Sequence, residues 1–467
     1  MTYDPKAFGA NCLECPLNGS VIVLPEIKDG KPLVIGEAPG YNEVKQRRPF
    51  VGMSGRELDV TLSKIGKTRQ DISITSCLLC QPPQNNLSGY LRKLSKKNRE
   101  EAKKAKEEKR DPSLIKNPLE CCYPRLKAEI DAAPSLILLG ATAMKMAKGE
   151  HAGEEGLKRK RGFVDMIGDK KCLATWHPAF VLRNRKWTDT FRSDVAKAFR
   201  YFENKLEWKQ PEILTDPSLD QLDAVLERLT KADKWVAIDT ETDGLDPENV
   251  NLRCVGVANE DFGFALGFDS VEHPRRQFNV PVDAAKVRLS SFFRSYTKLC
   301  GHNVNLYDRP VLTRHGIYIP EPKDLVDTIL LSHIADSELP NDLSYLTSRY
   351  TDAPSWKPTD HEHWNSDDEL HFYCVTDCCV TARLLPALSK EVKDTNQERV
   401  YWADIGLQEL CLGMHRAGML IDQDERARHE ARLRVQIEKA KEDAKALLGR
   451  DINLFSHEQV RDYLFDD

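Results

Sequence analysis

Apolar and polar positions alternate in a layered rhythm over residues 1–205. The short apolar runs Pro32-Leu33-Val34-Ile35-Gly36, Ile72-Ser73-Ile74-Thr75 and Ser135-Leu136-Ile137-Leu138-Leu139-Gly140 are separated by stretches of helical character, among them Gly55 to Ile65 and the segment from Ala141. Runs of about 4–8 apolar residues closed by glycine suit buried strands, and strands alternating with helices predict an α/β fold with a mainly parallel sheet. From Lys96 to Arg110 the apolar stripe disappears, leaving helix formers with opposite charges at helical spacing. That pattern predicts an exposed insertion within residues 91–118, a solvated helix or a disordered loop, with phosphate contact as the functional alternative.

Turn chemistry thickens around Gln210-Pro211-Glu212 and Asp216-Pro217-Ser218, and an amphipathic helix from Leu219 to Leu229 leads into a strand at Trp235-Val236-Ala237-Ile238. These signals place a domain boundary near residue 208. Beyond Lys390, Gln408 to Gly418 and Arg426 to Leu448 are rich in Ala, Glu, Arg and Lys and read as long antiparallel helices. The expected division is 1–207, 208–395 and 396–467, the last a helical stub.

The composition is that of a globular chain: 467 residues, 40% hydrophobic and 30% charged. No apolar run approaches the ~18 residues needed to cross a bilayer, so no membrane association is expected. Met1-Thr2-Tyr3-Asp4-Pro5-Lys6 lacks the basic-then-apolar pattern of a secretory signal, which points to a reducing cytoplasm, the host cell's if the protein is viral. The thirteen cysteines are therefore not expected to form a disulfide framework. The net charge of −5 decides little, because a local basic groove and acidic metal sites coexist in many nucleic-acid enzymes.

Candidate chemistry begins at Ile238-Asp239-Thr240-Glu241-Thr242-Asp243-Gly244-Leu245. Alternate side chains of an extended segment share a face, so Asp239 and Glu241 point together, and two like charges held that close call for a cation. Hard ions such as Mg²⁺ or Mn²⁺ take oxygen ligands, and two of them ~3.5–4 Å apart can hold the attacking and leaving oxygens of a phosphodiester. Asp308 follows in Gly301-His302-Asn303-Val304-Asn305-Leu306-Tyr307-Asp308. Tyr373-Cys374-Val375-Thr376-Asp377 then sets a phenol and a carboxylate four residues apart on one helix face.

In order and context these motifs resemble the DEDDy 3′–5′ exonucleases, specifically the proofreading domain of family A DNA polymerases. Asp324 to Ser332 resembles the segment after the second motif, and Leu343 to Tyr350 the helix that succeeds it. One departure is the spacing of five rather than four positions between Asn303 and Asp308. The resemblance implies a ribonuclease H-like fold, two metal ions held by Asp239, Glu241, Asp308 and Asp377, and a Tyr373 that aims the attacking water.

The N-terminal region carries Cys12-Leu13-Glu14-Cys15, Cys80 and Cys121-Cys122. Four thiolates in an α/β domain can hold zinc or an iron–sulfur cluster, and spacing leaves both open. The accompanying motifs are Gly36-Glu37-Ala38-Pro39-Gly40-Tyr41-Asn42-Glu43, Arg48-Pro49-Phe50-Val51-Gly52 and Trp176-His177-Pro178 through Asn184. They resemble the family 4 uracil-DNA glycosylases, which carry a 4Fe-4S cluster. That resemblance implies cluster ligands Cys12, Cys15, Cys80 and Cys122, with Cys77 and Cys121 as substitutes. It implies a pocket wall of Gly36, Ala38, Pro39 and Gly40, a Phe50 that stacks on an extruded base, a His177 that contacts the uracil carbonyl or the departing anion, and Glu37 or Glu43 positioning water. Where the family places an Asn to read the uracil edge, this chain has Ser76, one hydroxyl instead of a bidentate amide. Cys172, Cys254, Cys300, Cys374, Cys378, Cys379 and Cys411 share no ligand spacing and read as core or surface residues.

Gln408 to Asp422 resembles the passage from exonuclease to thumb in a family A polymerase, and Ile452-Asn453-Leu454-Phe455-Ser456 a stretch within that thumb. The resemblances together imply a DNA replication or repair protein that hydrolyses DNA 3′ ends. Its glycosylase-like domain would bind DNA, with or without uracil excision. No polymerase active site is matched in the sequence, which leaves two expectations: the chain is the N-terminal part of a family A polymerase cut short, or the rest of the polymerase is a separate chain and a partner. The alternative from another class is a non-catalytic module tethering such a polymerase to DNA.

Overall fold

The three N-terminal apolar runs become neighbouring strands: β1 (Leu33–Gly36), β2 (Ser73–Ser76) and β3 (Ser135–Leu139), every residue of which is buried. Strands covered on both faces need no alternation, which is why they read as continuous runs. With β4 (Val164–Ile167) and β5 (Lys170–Thr175) they form a sheet in the order β2-β1-β3-β5-β4, parallel except for the β4–β5 pair. In this computed structural model residues 4–149, 154–273, 276–357 and 364–465 are described.

A second sheet combines β6 (Glu212–Thr215), β7 (Val236–Thr242), β8 (Leu252–Ala258), β9 (Phe262–Gly267), β10 (Leu299–Gly301) and β11 (Leu325–Asp327). Its order is β11-β10-β7-β8-β9-β6; β7, β8 and β9 run antiparallel, while β6, β10 and β11 join in parallel. The sheet and its helices make a second mixed α/β layer. The 28-residue helix Asp367–Asp394 packs across β7, β8 and β9. Its close approach depends on Gly256 of β8, where a Cβ would sit 2.8 Å from Cys374 Sγ.

The charged insertion is one helix, Leu87–Glu107, rather than a loop. Arg110 folds back onto Glu101 and Glu108, and Asn98 holds the backbone of Ile115 at both its N–H and its C=O. Ala105 is 1% exposed, so the helix has a buried contact that so small a side chain does not announce in sequence.

The chain divides into two compact units, Met1–Glu409 and Leu410–Asp467. Within the second, helix Gln423–Leu448 is capped by Asp422 and ends at Gly449 with φ 69°, and Leu433, Val435, Leu447, Phe455 and Phe465 are exposed. Among the described residues no helix is long and apolar enough to cross a membrane.

Candidate metal centre and base pocket

β7 extends past the predicted strand and carries Asp239 and Glu241 on one face. Their oxygens and Cys374 Sγ lie within 4.8 Å of one another, with Sγ 3.4 Å from Asp239 Oδ2. Asp308 opens the helix Asp308–Arg314 and accepts a hydrogen bond on Oδ1 from Thr240 Oγ1 at 2.6 Å. The loop leading to it is pinned by Asp327, whose carboxylate accepts backbone N–H bonds from Asn303 (2.9 Å) and Asn305 (3.3 Å). Asp377 accepts from Trp356 Nε1 on Oδ1 (2.5 Å) and from Lys357 Nζ on Oδ2 (3.3 Å). Tyr373 lies one turn before Asp377, 4.9 Å between ring centres from Trp364.

The electrostatics follow from that crowding. Burial, then neighbouring carboxylates and the Cys374 sulfur, push Asp239 and Glu241 well above the usual carboxylate range, and burial raises Asp308 to about 7. Asp377 is raised by burial despite Lys357 and Trp356. Burial opposes the charge of Lys357, but Asp377, Asp239 and Glu241 outweigh it and hold the ammonium protonated. Tyr373 is raised by burial and then by Asp377, Glu241 and Asp239, so it stays a neutral O–H donor. Among the described residues, one ammonium against four carboxylates leaves a strong demand for cations, and the oxygen donors suit hard divalent ions.

In the N-terminal domain Cys12, Cys15, Cys80 and Cys122 line one cavity of about 50 Å³, with Cys121 also at its wall; Cys77 lies outside it, fully buried. Burial first and neighbouring sulfurs after it raise Cys15 to about 11 and Cys80 to about 12. Thiols this costly to ionise next to one another are suited to share a positively charged group. Arg125, wholly buried, reaches from beneath with Nη2 3.6 Å from Cys122 Sγ.

The base pocket forms where β1 and β2 end side by side, Gly36 in register with Ser76. Phe50 lies on Gly36, where a Cβ would meet its ring at 2.6 Å, and its backbone is held at φ 51°, a strained conformation for a non-glycine residue. Arg69 holds it there by donating to the carbonyls of Pro49 and Phe50. Ala38 packs on the domain core, Pro39 is buried, and Gly40 caps the following helix. His177 sits 5.8 Å from Phe50 between ring centres, and its Nδ1 accepts from the N–H of Ala179 at 3.1 Å. Burial, and then Arg183, lowers His177 to about 4, so the ring is neutral and its proton sits on Nε2.

The two acids differ in placement. Glu37 accepts from Thr142 Oγ1 at 2.7 Å at the strand end, whereas Glu43 spends one oxygen on the N–H of Gly52 (2.8 Å) and the other on that of Gly40 (3.2 Å). Glu43 thus staples the two glycine turns. The residues that motif reading did not single out are Trp356, Lys357, Cys374, Asp327 and Thr240. Thr240 lies between the acidic pair, Cys374 inside the Tyr373–Asp377 motif and Asp327 inside the Asp324–Ser332 segment, whereas Trp356 and Lys357 carried no positional signal.

Residues 26–203 match the uracil DNA glycosylase superfamily and residues 213–393 a 3′-5′ exonuclease family. The type-4 uracil-DNA glycosylase of Pyrobaculum aerophilum is 32% identical over 201 residues, covering 40% of this chain and 88% of that protein. DNA polymerase I of Synechocystis sp. is 29% identical over 272 residues, covering 55% of this chain but only 27% of the polymerase. Among solved structures, Brucella melitensis NrnC with bound Mg²⁺ gives a distant likeness: TM-score 0.31, 19% identity, 46% of this chain and 98% of that one.

Proposed function

The chain belongs to the type-4 uracil-DNA glycosylase family through its N-terminal domain and continues into a 3′–5′ exonuclease domain, and on that premise we propose that it trims DNA 3′ ends by two-metal hydrolysis. Asp239, Glu241 and Asp377 would hold the ion that supplies the attacking water, and Asp308 would serve the second. The carrying observation is the pairing of Asp239 and Glu241 on one strand face, opposite a helix that presents Tyr373 and Asp377. Bound Mg²⁺ or Mn²⁺ supplies charge at the phosphodiester and aligns the attacking and leaving oxygens. Tyr373, kept protonated, orients the water, and Lys357 offsets carboxylate charge from the other side. The products are deoxynucleoside monophosphates.

In the first domain Cys12, Cys15, Cys80 and Cys122 hold a 4Fe-4S cluster, a reading supported by their shared cavity and by the family. The domain division near residues 208 and 395 accompanies this assignment. The C-terminal helices are the start of a polymerase thumb. The glycosylase-like domain binds DNA; the Ser76 hydroxyl and the occupied Glu43 favour a binding role over rapid uracil release.

The test is Mg²⁺-dependent digestion of a 3′-labelled, mismatched primer by the full chain and by its Asp239→Ala, Glu241→Ala double variant. Shortening by the unaltered protein alone is the expected result. Digestion by neither makes the chain a tether for a separate polymerase. An alkali-labile site in a uracil-containing oligonucleotide separates base removal from trimming, and a brown, blue-absorbing protein separates iron from zinc.

A further inference from the structure

The segment that reaches Asp377 is held from outside the exonuclease domain. Residues 351–357 have no helix or strand of their own to fix them, yet they deliver Trp356 and Lys357 to the two oxygens of Asp377. Three contacts set their position. Phe163, 4% exposed and just ahead of β4 in the glycosylase-like domain, meets the Trp356 ring edge to face, 6.2 Å between centres at 82°. Arg200, on the last helix of that domain, forks onto the Asp352 carboxylate at 2.7 and 3.2 Å. The backbone N–H of Glu207, where the two domains join, donates to the same carboxylate at 3.0 Å.

The helix Leu343–Tyr350, which feeds this segment, is fastened to the same neighbour. Arg161 Nη2 donates to Ser348 Oγ at 2.6 Å, Lys197 Nζ donates to the Ser348 carbonyl, and the hydroxyls of Thr190 and Tyr345 pair at 2.8 Å. Arg161, Lys197 and Ser348 are at most 2% exposed. Charges that deeply buried are tolerated only when every partner stays in place, so this contact behaves as a fixed weld with one arrangement rather than a hinge.

We propose that the glycosylase-like domain is a structural wall of the exonuclease metal centre, acting through Phe163 on Trp356 and through Trp356 on Asp377. The proposal rests on the reading of Asp377 as a metal ligand. Trp356 is a positioning residue: its N–H fixes which Asp377 oxygen faces the ion and at what angle. Loss of the wall frees the indole to turn, leaves Asp377 Oδ1 without its donor, and loosens the carboxylate geometry that a divalent ion needs. Partners behind a metal ligand are typically worth ~10–100-fold in metal affinity.

The experiment uses the full chain and five variants: Phe163→Ala, Phe163→Leu, Arg200→Gln, Trp356→Phe and Asp377→Asn. Mn²⁺ binding is measured by calorimetry without DNA, and the Mn²⁺ dependence of cleavage at saturating single-stranded DNA is measured beside it. Phe163→Ala and Trp356→Phe are each expected to weaken Mn²⁺ binding by about tenfold with the KM for DNA unchanged, and Phe163→Leu to recover most of the loss. Arg200→Gln alters a half-exposed side chain and keeps the test decisive where Phe163→Ala fails to fold. Wild-type Mn²⁺ affinity in both Phe163→Ala and Arg200→Gln, with Asp377→Asn impaired, overturns the wall and leaves the exonuclease reading standing. Wild-type binding and cleavage by Asp377→Asn overturns both.

Discussion

Removing the divalent ions should make the exonuclease domain lose stability as pH rises, and Asp308 contributes a part of that effect that a single substitution isolates. Its carboxyl is 3% exposed and, in the metal-free protein, burial raises it to about 7 from a usual 3.8. A raised carboxyl pKa means that the folded state holds a proton the unfolded chain has released. The Asp308 contribution to stability therefore falls between about pH 4 and pH 7 and levels off above. About three units correspond to roughly 4 kcal/mol, or about 10 °C in Tm for a domain of this size. Two histidines act in the opposite sense. Burial lowers His177 to about 4 and His302 to about 3, so their neutral forms stabilise above their ordinary pKa and that contribution is lost on acidification. The clean readout is thus the difference between the unaltered protein and Asp308→Asn, whose amide oxygen still accepts from Thr240. Thermal unfolding in chelator at pH 5, 6.5 and 8 should show the difference growing with pH in favour of Asn, and saturating Mg²⁺ should reverse it. A difference that does not change with pH, or a Mg²⁺ stabilisation as large at pH 5 as at pH 8, refutes the account of Asp308 as a proton-or-metal site.

Three further outcomes follow from neighbouring geometry. Cys374→Ala removes a sulfur beside Asp239 and Glu241, so inhibition of DNA digestion by thiophilic Cd²⁺ should need a severalfold higher concentration than in the unaltered protein; equal inhibition shows that the sulfur takes no part in binding the ion. Arg125→Met breaks the buried ion pair with Glu129, whose side chain is 3% exposed, and should cost about 3–5 kcal/mol in denaturant unfolding together with visible absorbance from any cluster, whereas a loss under ~1 kcal/mol contradicts the buried-pair argument. Ser76→Asn restores a bidentate amide at the end of β2 and should raise uracil release about tenfold, in keeping with the ~1–3 kcal/mol of such a pair; unchanged release places the limitation elsewhere in the pocket.

How far the site was legible depended on whether its parts obey a local period. Asp239 and Glu241 were visible because a strand repeats every two residues, and Tyr373 with Asp377 because a helix brings residues four apart together. The buried strands were visible for the same reason. Trp356 and Lys357 lie in a segment with no period at all, and their meaning comes from a contact with Asp377 some twenty positions on. Cys374 was read as a core or surface residue, and it is fully buried on the core face of its helix. It enters the site only because Gly256 lets that helix approach β8, a fact carried by a residue with no side chain. The Arg161–Ser348 contact joins positions 187 apart, a pairing that no window along the chain contains. Glu43 shows the converse limit, since a motif can identify an acid near a pocket without revealing that both its oxygens are taken by Gly40 and Gly52.

The two centres make opposite electrostatic demands that one solution can meet. The carboxylate cluster collects protons when metal is withheld, and its ionised form is favoured by alkaline pH and by divalent ions alike. In the glycosylase-like domain, with Nδ1 already accepting from Ala179, the Nε2–H of the neutral His177 remains a donor at any pH above about 4. Near neutrality with Mg²⁺ present, neither site is held in its wrong protonation state. A difference in activity between the two domains under those conditions therefore reports on shape and contacts, on Ser76 and Glu43 in one and on the Phe163–Trp356 wall in the other, rather than on pH.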